Sequence, residues 1–481
     1  MSVSAPAENQ GGNLRVDFKK MERAFNPRCV AIVGDSKRGN FHWLHNESTF
    51  KGKLYSVQVN PESIEGIRAL GVENYTSIVD IPEPVDLAII NLPREIAPQV
   101  LEDCIRKDVA AAHFFTAGFS ETNTEEGIKL ERLLKERAEQ ADFHIIGPNC
   151  RGIFTPGIGL RQIGDQYSGC SGPVGLISQS GGHAMYFARE AHTEGVDINK
   201  SVSFGNGTVL HASDYLAYFG QDPSIELIGM YLEGVRDGRR FFSVLREVAA
   251  RKPVVLWKGG WTTDGGRAVG SHTASLAVPQ EVWGSAMRQC GVIQVFGQEE
   301  LIDTLKALIH LPPVLGDRVA LVGGAGGQSI ASTDVFAGAG FRVPLLSEES
   351  YEELATFFSL IGGSYRNPID TDAGRNRLEL ARILELMAGD NNIDNIVLQS
   401  RVGIFMFGPE MRDADIRAAL DVKGKTQKPV LAILPYYNPE EMAEARETIP
   451  RYQEGGVPVF PTLERGAAAL KNVLEYYRFR Q

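Results

Sequence analysis

Cys29-Val30-Ala31-Ile32-Val33-Gly34-Asp35-Ser36, Pro173-Val174-Gly175-Leu176-Ile177-Ser178-Gln179-Ser180-Gly181-Gly182 and Arg318-Val319-Ala320-Leu321-Val322-Gly323-Gly324-Ala325-Gly326-Gly327 repeat one pattern. In each, a β-branched and apolar run ends in a glycine-containing turn that opens a helix. After each start, short apolar runs alternate with segments of helical period, the signature of βαβ units and of a parallel sheet covered on both faces. The pattern predicts an α/β chain of three doubly wound parallel-sheet domains. Strands are expected at Leu54–Val59, Leu87–Asn91, Ala112–Phe115 and His144–Ile146, with a helix at Ile96–Lys107. Ile225–Leu232 and Pro253–Trp257 read as strands of the second domain, and Ile396–Gln399, Pro429–Leu434 and Val457–Phe460 as strands of the third. Thr155-Pro156-Gly157 and Leu311-Pro312-Pro313 interrupt the pattern. The expected segments are a flexible tail at 1–16 and domains at 17–155, 170–312 and 317–481.

Length and composition agree. A chain of 481 residues, 43% hydrophobic and 23% charged, has material for several full cores. Charged residues interrupt every hydrophobic run within about ten residues, so no bilayer-spanning segment is expected. The five cysteines, Cys29, Cys104, Cys150, Cys170 and Cys290, are scattered and form no CxxC pair, which suggests neither a disulfide framework nor zinc ligation and suits a reducing cytoplasm. A formal charge of −11 and the lack of a basic, aromatic-rich run argue against nucleic acid as a partner.

A glycine-rich turn feeding a helix aims unpaired N–H groups and the positive end of the helix dipole at an anion. The first turn lacks a full GxGxxG and reads equally well as a tight strand-to-helix turn. The second adds the hydroxyls of Ser178 and Ser180, beside Gln179, Gly181 and Gly182. Glu233 follows the strand ending Met230-Tyr231-Leu232, at the carboxyl end where sites in open α/β sheets gather. A carboxylate there can bind one imidazole nitrogen and leave the other nucleophilic; a solvated loop glutamate is the competing reading. Among nine histidines, His272 lies in a segment with Gly259, Gly260, Gly265, Gly266 and Gly270 that reads as a flexible loop. No HExxH spacing occurs, and no metal site is indicated.

Further motifs accompany these: Val59-Asn60-Pro61, Leu92-Pro93, Thr116-Ala117-Gly118-Phe119 and Gly147-Pro148-Asn149-Cys150 in the first unit, Tyr231-Leu232-Glu233-Gly234 and Gly270-Ser271-His272-Thr273 in the second, and Asn367-Pro368-Ile369-Asp370 and Val457-Pro458-Val459-Phe460-Pro461-Thr462 in the third. In this order they resemble the α subunit of ADP-forming acetyl-CoA synthetase and, more distantly, that of succinyl-CoA synthetase, over nearly the whole chain. The resemblance implies a Rossmann-like CoA-binding domain followed by two flavodoxin-like domains. It implies CoA contacts near Gly34, Asp35, Ser36, Asn60, Pro61, Leu92, Pro93, Ala117, Gly118, Asn149 and Cys150. It further implies phosphorylation of His272, orientation of its ring by Glu233, and a phosphoryl group held at Ser178–Gly182.

The implied cycle converts acyl-CoA, phosphate and ADP to a carboxylic acid, CoA and ATP through an acyl phosphate and a phosphohistidine. Magnesium would travel with the nucleotide on a separate ATP-grasp β subunit, because no segment of this chain is left over to house that module. Three positions depart from the family: Arg151 stands where an apolar residue or proline is usual, Ser275 replaces a glycine, and Asp35 replaces a small residue. Arg151 could pair with a second carboxylate on the acyl substrate, or with the CoA phosphates, or be solvated. A non-catalytic CoA-binding regulatory protein, a nicotinamide-dependent dehydrogenase and a CoA transferase using Glu233 are the alternatives.

Overall fold

A computed structural model describes residues 16–273, 279–360, 363–371, 375–403 and 409–481, and at 270–273, 375 and 409 the backbone alone. Residues 1–15 of the expected tail, and Ser275, lie outside the described residues. The chain divides into two compact units, Met1–Phe296 and Gly297–Gln481.

The first unit holds two sheets. Strands β1 (Cys29–Val33), β2 (Lys53–Val57), β3 (Glu73–Tyr75), β4 (Leu87–Ile90), β5 (Ala111–Phe114) and β6 (His144–Ile146) form a sheet of order β3-β2-β1-β4-β5-β6, all parallel. This is the doubly wound order, and the strand sequence reverses between β1 and β4. Every residue of β1, β4, β5 and β6 is buried, as helices on both faces require. In the second sheet β7 (Gly152–Phe154), β8 (Val174–Ser178), β9 (Ile198–Ser203), β10 (Leu227–Leu232), β11 (Val254–Lys258) and β12 (Ile293–Val295) lie in the order β12-β11-β10-β8-β9-β7. Strands β8 to β12 give the flavodoxin-like arrangement, and β7 closes the edge antiparallel to β9.

Residues 152–154, expected within the first domain, thus belong to the second sheet. A three-residue strand directly after a turn carries no pattern that assigns it to either side. The two sheets share one hydrophobic cluster. Within it Phe25, at the end of the helix Phe18–Phe25, packs edge-on against Phe219 at 5.4 Å and meets Tyr215 and Tyr218 of the helix Ala212–Gln221. Full burial of such a ring contributes about 2–3 kcal/mol.

In the second unit β13 (Val319–Val322), β14 (Asn395–Gln399), β15 (Val430–Ile433) and β16 (Val459–Phe460) form a parallel sheet in chain order. Beyond β13 the ladder shrinks to isolated bridges, Arg318 with Arg342 and Val322 with Ile369. Pro344 and Pro368 flank those bridges, and neither has an N–H to extend a ladder. The helix Gln298–His310, expected with the second domain, packs here against Leu463–Arg480, tied by a bidentate pair from Arg465 to Asp303. Among the described residues no helix is long and apolar enough to cross a membrane.

Candidate active site

At the carboxyl edge of the first sheet, Gly34 takes φ +90°, and a Cβ there would stand 2.3 Å from Leu92 Cδ2, so only glycine lets the β1 and β4 turns close on each other. Asn60 caps the helix Pro61–Ala69 through Oδ1, which accepts from Glu62 N (2.9 Å) and Ser63 N (3.3 Å), with Pro61 at the first helical position. Thr116 Oγ1 donates to Leu92 O at 2.7 Å and joins the β5 turn to the β4 turn. Gly34, Ser36, Asn60, Pro61, Leu92, Pro93, Ala117, Gly118 and Asn149 all reach this edge partly or fully exposed.

Asp35 and Cys150 do not. Asp35 is buried, and its carboxylate accepts from Leu44 N at 2.9 Å and Asn91 Nδ2 at 3.4 Å; desolvation raises its pKa. The Cys150 thiol is buried against Phe114 O and pushed up to about 12 by desolvation. Both side chains are turned inward beneath the edge. Glu121 takes the Gly118 N–H, and Arg94 donates to the Gly118 carbonyl. The turn 147–149 is engaged by the second sheet's loop, through Asn206 N to Pro148 O at 3.1 Å and Thr208 N to Gly147 O at 3.1 Å.

The three glycine turns differ. The first opens only a short 3₁₀ turn, Lys37–Gly39. The third opens the helix Gly326–Gly338, but Asp370 Oδ2 already accepts from Gly326 N at 2.8 Å. The second opens the 13-residue helix Gly181–Thr193, with Ser180 as N-cap accepting from His183 N at 3.3 Å. Among the described residues the N–H groups of Gly181 and Gly182 have no acceptor. Ser178 Oγ donates to Ser180 O at 2.7 Å and accepts from Ser180 N at 3.2 Å, which fixes the turn. Of the three, the second turn is the one that opens a long helix with its first backbone donors unengaged among the described residues.

Gln179 links this turn to Glu233: its Oε1 accepts from Glu233 N at 2.8 Å and Gly234 N at 3.0 Å. Glu233 is buried at the exit of β10, and Tyr231 Oη donates to its Oε1 at 3.3 Å. Lys258 Nζ, its pKa lowered by desolvation, donates to Glu233 O at 2.8 Å. A Cβ on Gly259 would lie 2.6 Å from Tyr231 Oη and 3.3 Å from Glu233 Cγ, so β11 leaves the sheet by a glycine that makes room for this pair. The chain then enters the helix Thr263–Thr273, whose last turn contains the His272 backbone. That helix lies against the turn Ser120–Thr122 of the first sheet.

The segment read as a flexible loop is thus helical up to Thr273, because Thr262 Oγ1 caps it by accepting from Gly265 N at 3.0 Å. The His272 side chain lies outside the described residues. Sequence reasoning gave Tyr231 only as part of a motif and missed the ring cluster in which His183 lies tilted to Tyr231 (4.4 Å) and edge-on to Trp257 (4.7 Å), since β10 is buried throughout and gives no alternation to single out one residue. Scattered spacing likewise hid the approach of Cys170, His192 and Asp197, whose ligand-type atoms lie within 4.8 Å of one another at the opposite, amino-terminal edge of the second sheet.

A doubly wound unit and a flavodoxin-like unit, with open backbone donors and a buried glutamate at the latter's carboxyl edge, suit an acid–thiol ligase. Residues 28–156 match the CoA binding domain family, and residues 171–308 match the succinyl-CoA ligase like flavodoxin domain family. The chain is 32% identical to the α subunit of acetate–CoA ligase (ADP-forming) I of Pyrococcus furiosus over 96% of its own length and 98% of that subunit. It is 34% identical to acetate–CoA ligase (ADP-forming) I of Archaeoglobus fulgidus, over 95% of this chain but 64% of that longer protein. Among solved structures it matches an acetyl-coenzyme A synthetase 1 of Ca. Korarchaeum cryptofilum, in complex with phosphate and ADP, with a TM-score of 0.82 and 29% identity over 96% of this chain and 97% of that one. The chain belongs to the family of α subunits of ADP-forming acyl-CoA ligases, which are acid–thiol ligases.

Proposed function

We propose that the chain is the CoA-binding and phosphohistidine-bearing subunit of an enzyme that interconverts acyl-CoA, phosphate and ADP with a carboxylic acid, CoA and ATP. One observation carries this reading: β8, β10 and β11, neighbours in one sheet, deliver the free N–H groups of Gly181 and Gly182, the Glu233 carboxylate and the His272 helix to the same edge. The CoA domain's carboxyl edge supplies the thioester.

In the first step a phosphate oxygen attacks the thioester carbonyl, the C–S bond breaks, and the thiolate leaves and takes a proton. The acyl phosphate keeps its phosphoryl oxygens on the N-terminus of the helix Gly181–Thr193, where backbone donors and the dipole offset their charge. One nitrogen of His272 then attacks phosphorus and the carboxylate leaves. Glu233, held by Tyr231 and by Gln179 on its backbone, accepts a hydrogen bond from the N–H of the other ring nitrogen and so fixes the tautomer. ADP finally accepts the phosphoryl group, with magnesium on the nucleotide and both bound by a separate ATP-grasp β subunit. Relatives named as α subunits support the two-chain organisation.

The test is transfer of label from γ-labelled ATP in the presence of the β chain. We expect an acid-labile, base-stable phosphate on the wild type and none on His272→Ala. Glu233→Gln should slow labelling by about 10²–10⁴-fold. An unlabelled wild-type chain in an active complex would overturn the assignment, and so would full ligase activity from this chain alone.

A further inference from the structure

Arg151 follows the turn 147–150 and begins the crossing from the first sheet to the second. Its Cγ covers Gly181, where a Cβ would stand 2.9 Å away, and its backbone N–H donates to Ser203 Oγ at 3.1 Å. The guanidinium continues away from the helix N-terminus. It lies over the Phe115 ring, 5.0 Å from the centroid, at the exit of β5, and Nη1 approaches His42 Nε2 at 3.2 Å. Asn46 Nδ2 reaches the same His42 nitrogen at 3.1 Å. Arginine and an amide NH₂ can only donate, so His42 Nε2 is the acceptor, the ring proton sits on Nδ1, and the imidazole is neutral. Burial and the arginine charge both lower the His42 pKa, in agreement.

Arg151 is therefore a half-buried cation whose partners, an imidazole and a phenyl ring, are neutral. Among the described residues it forms no ion pair, and desolvation lowers its pKa. Other arginines near these edges differ: Arg94 pairs with Glu95 and Glu126, and Arg236 with Glu131. A partly desolvated charge without a counter-charge costs free energy that an incoming anion recovers. The phosphoryl end of the acyl phosphate belongs to the Gly181 N-terminus and the thioester to the first sheet's edge, and Arg151 spans the interval between the two. A group held by its guanidinium sits on the acyl part.

We propose that Arg151, backed by His42 and Phe115, binds a second oxyanion on the acyl substrate, so that the enzyme acts on acids bearing two anionic groups in preference to acetate. The inference rests on the reaction assigned above. A carboxylate and a sulfonate share the recognising chemistry, planar or tripodal oxygens facing a guanidinium fork.

The experiment measures kcat/KM for malonate, succinate, sulfoacetate, acetate and butyrate with the complete complex of this chain and its β chain, as wild type, Arg151→Leu and Arg151→Lys. We expect the wild type to prefer at least one of the three dianions, the choice among them identifying the group. In Arg151→Leu the ratio of kcat/KM for that dianion to kcat/KM for acetate should fall about 10–100-fold, the loss lying in the KM of the acid and not in that of phosphate or CoA. Arg151→Lys should fall between the two. A wild type that favours acetate or butyrate overturns the proposal, as does an unchanged ratio in Arg151→Leu. An equal rise in the KM of phosphate or CoA overturns it too, by assigning the cation to those ligands. Labelling of His272 from ATP needs no acid, so its presence alongside a preference for acetate sinks this inference alone, whereas its absence from an active complex sinks the assigned reaction as well.

Discussion

Glu47 is 1% exposed, with Oε2 accepting from Arg161 N at 3.2 Å and Oε1 lacking a partner among the described residues. Desolvation pushes its pKa well above the ordinary 4.5. The folded chain therefore holds a proton that the unfolded chain releases, so stability is full below about pH 4.5 and declines as pH rises toward the folded pKa. In that window the decline from this group is at most about 1.4 kcal/mol per pH unit. Glu47→Gln should remove the slope. Urea unfolding at pH 5, 6 and 7 tests this as a difference between wild-type and variant stability that widens with pH; a constant difference would refute it. Nothing in the neighbouring sequence marks Glu47, since burial of one carboxylate is a tertiary fact. Asp35 teaches the same lesson from the other side. Its place beside Gly34 and Ser36 suggested a ligand contact, and its side chain turns into the Leu44 N–H instead. Motif position reports which backbone reaches the edge, not which way a side chain points.

Among elements, legibility follows length and apolarity. β4, β5, β10 and β14 are continuous buried runs, β11 is one but for half-buried Trp257, and all emerged within a residue or two of their expected bounds. β3, β7 and β12, of three residues each, went unread, whereas β6, equally short, emerged at its expected bounds. β9 contains Asn199, Lys200, Ser201 and Ser203, and the buried pairing of Lys200 with Asp222, the Asn199 bond to Gly172 O and the Ser203 bond from Arg151 N make so polar a strand tolerable inside. The helix Thr263–Thr273 is the most instructive miss. Gly265, Gly266 and Gly270 each cost it about 1 kcal/mol against alanine, which is why the segment reads as a loop. The Thr262 cap opposes that cost. Thr262→Ala should remove about 1 kcal/mol from the helix, seen as faster hydrogen exchange at 265–268 and slower labelling of His272. Unchanged exchange would show that the cap is not what holds it.

At the scale of the molecule, each compact unit should answer for its own defects. Asp303 is 1% exposed and Arg465 holds it bidentately, while Lys306 stands 3.5 Å away. Arg465→Ala leaves that carboxylate with one cation, at a cost of about 3 kcal/mol. We expect lost exchange protection in 298–310 and 463–480, with the strands of residues 29–258 unaffected; a uniform loss would mean that the chain unfolds as one body. The antiparallel strand β7 bears on how such chains can be cut and recombined. It is the outer rail of the second sheet, yet its residues follow directly on the last turn of the first. A chimera joined at the apparent seam near residue 155 would carry β7 away with the wrong partner and strip β9 of its cover. The bare N–H and C=O row left behind is a template for another chain, so a graft of either module should be spliced before Gly147, or aggregate.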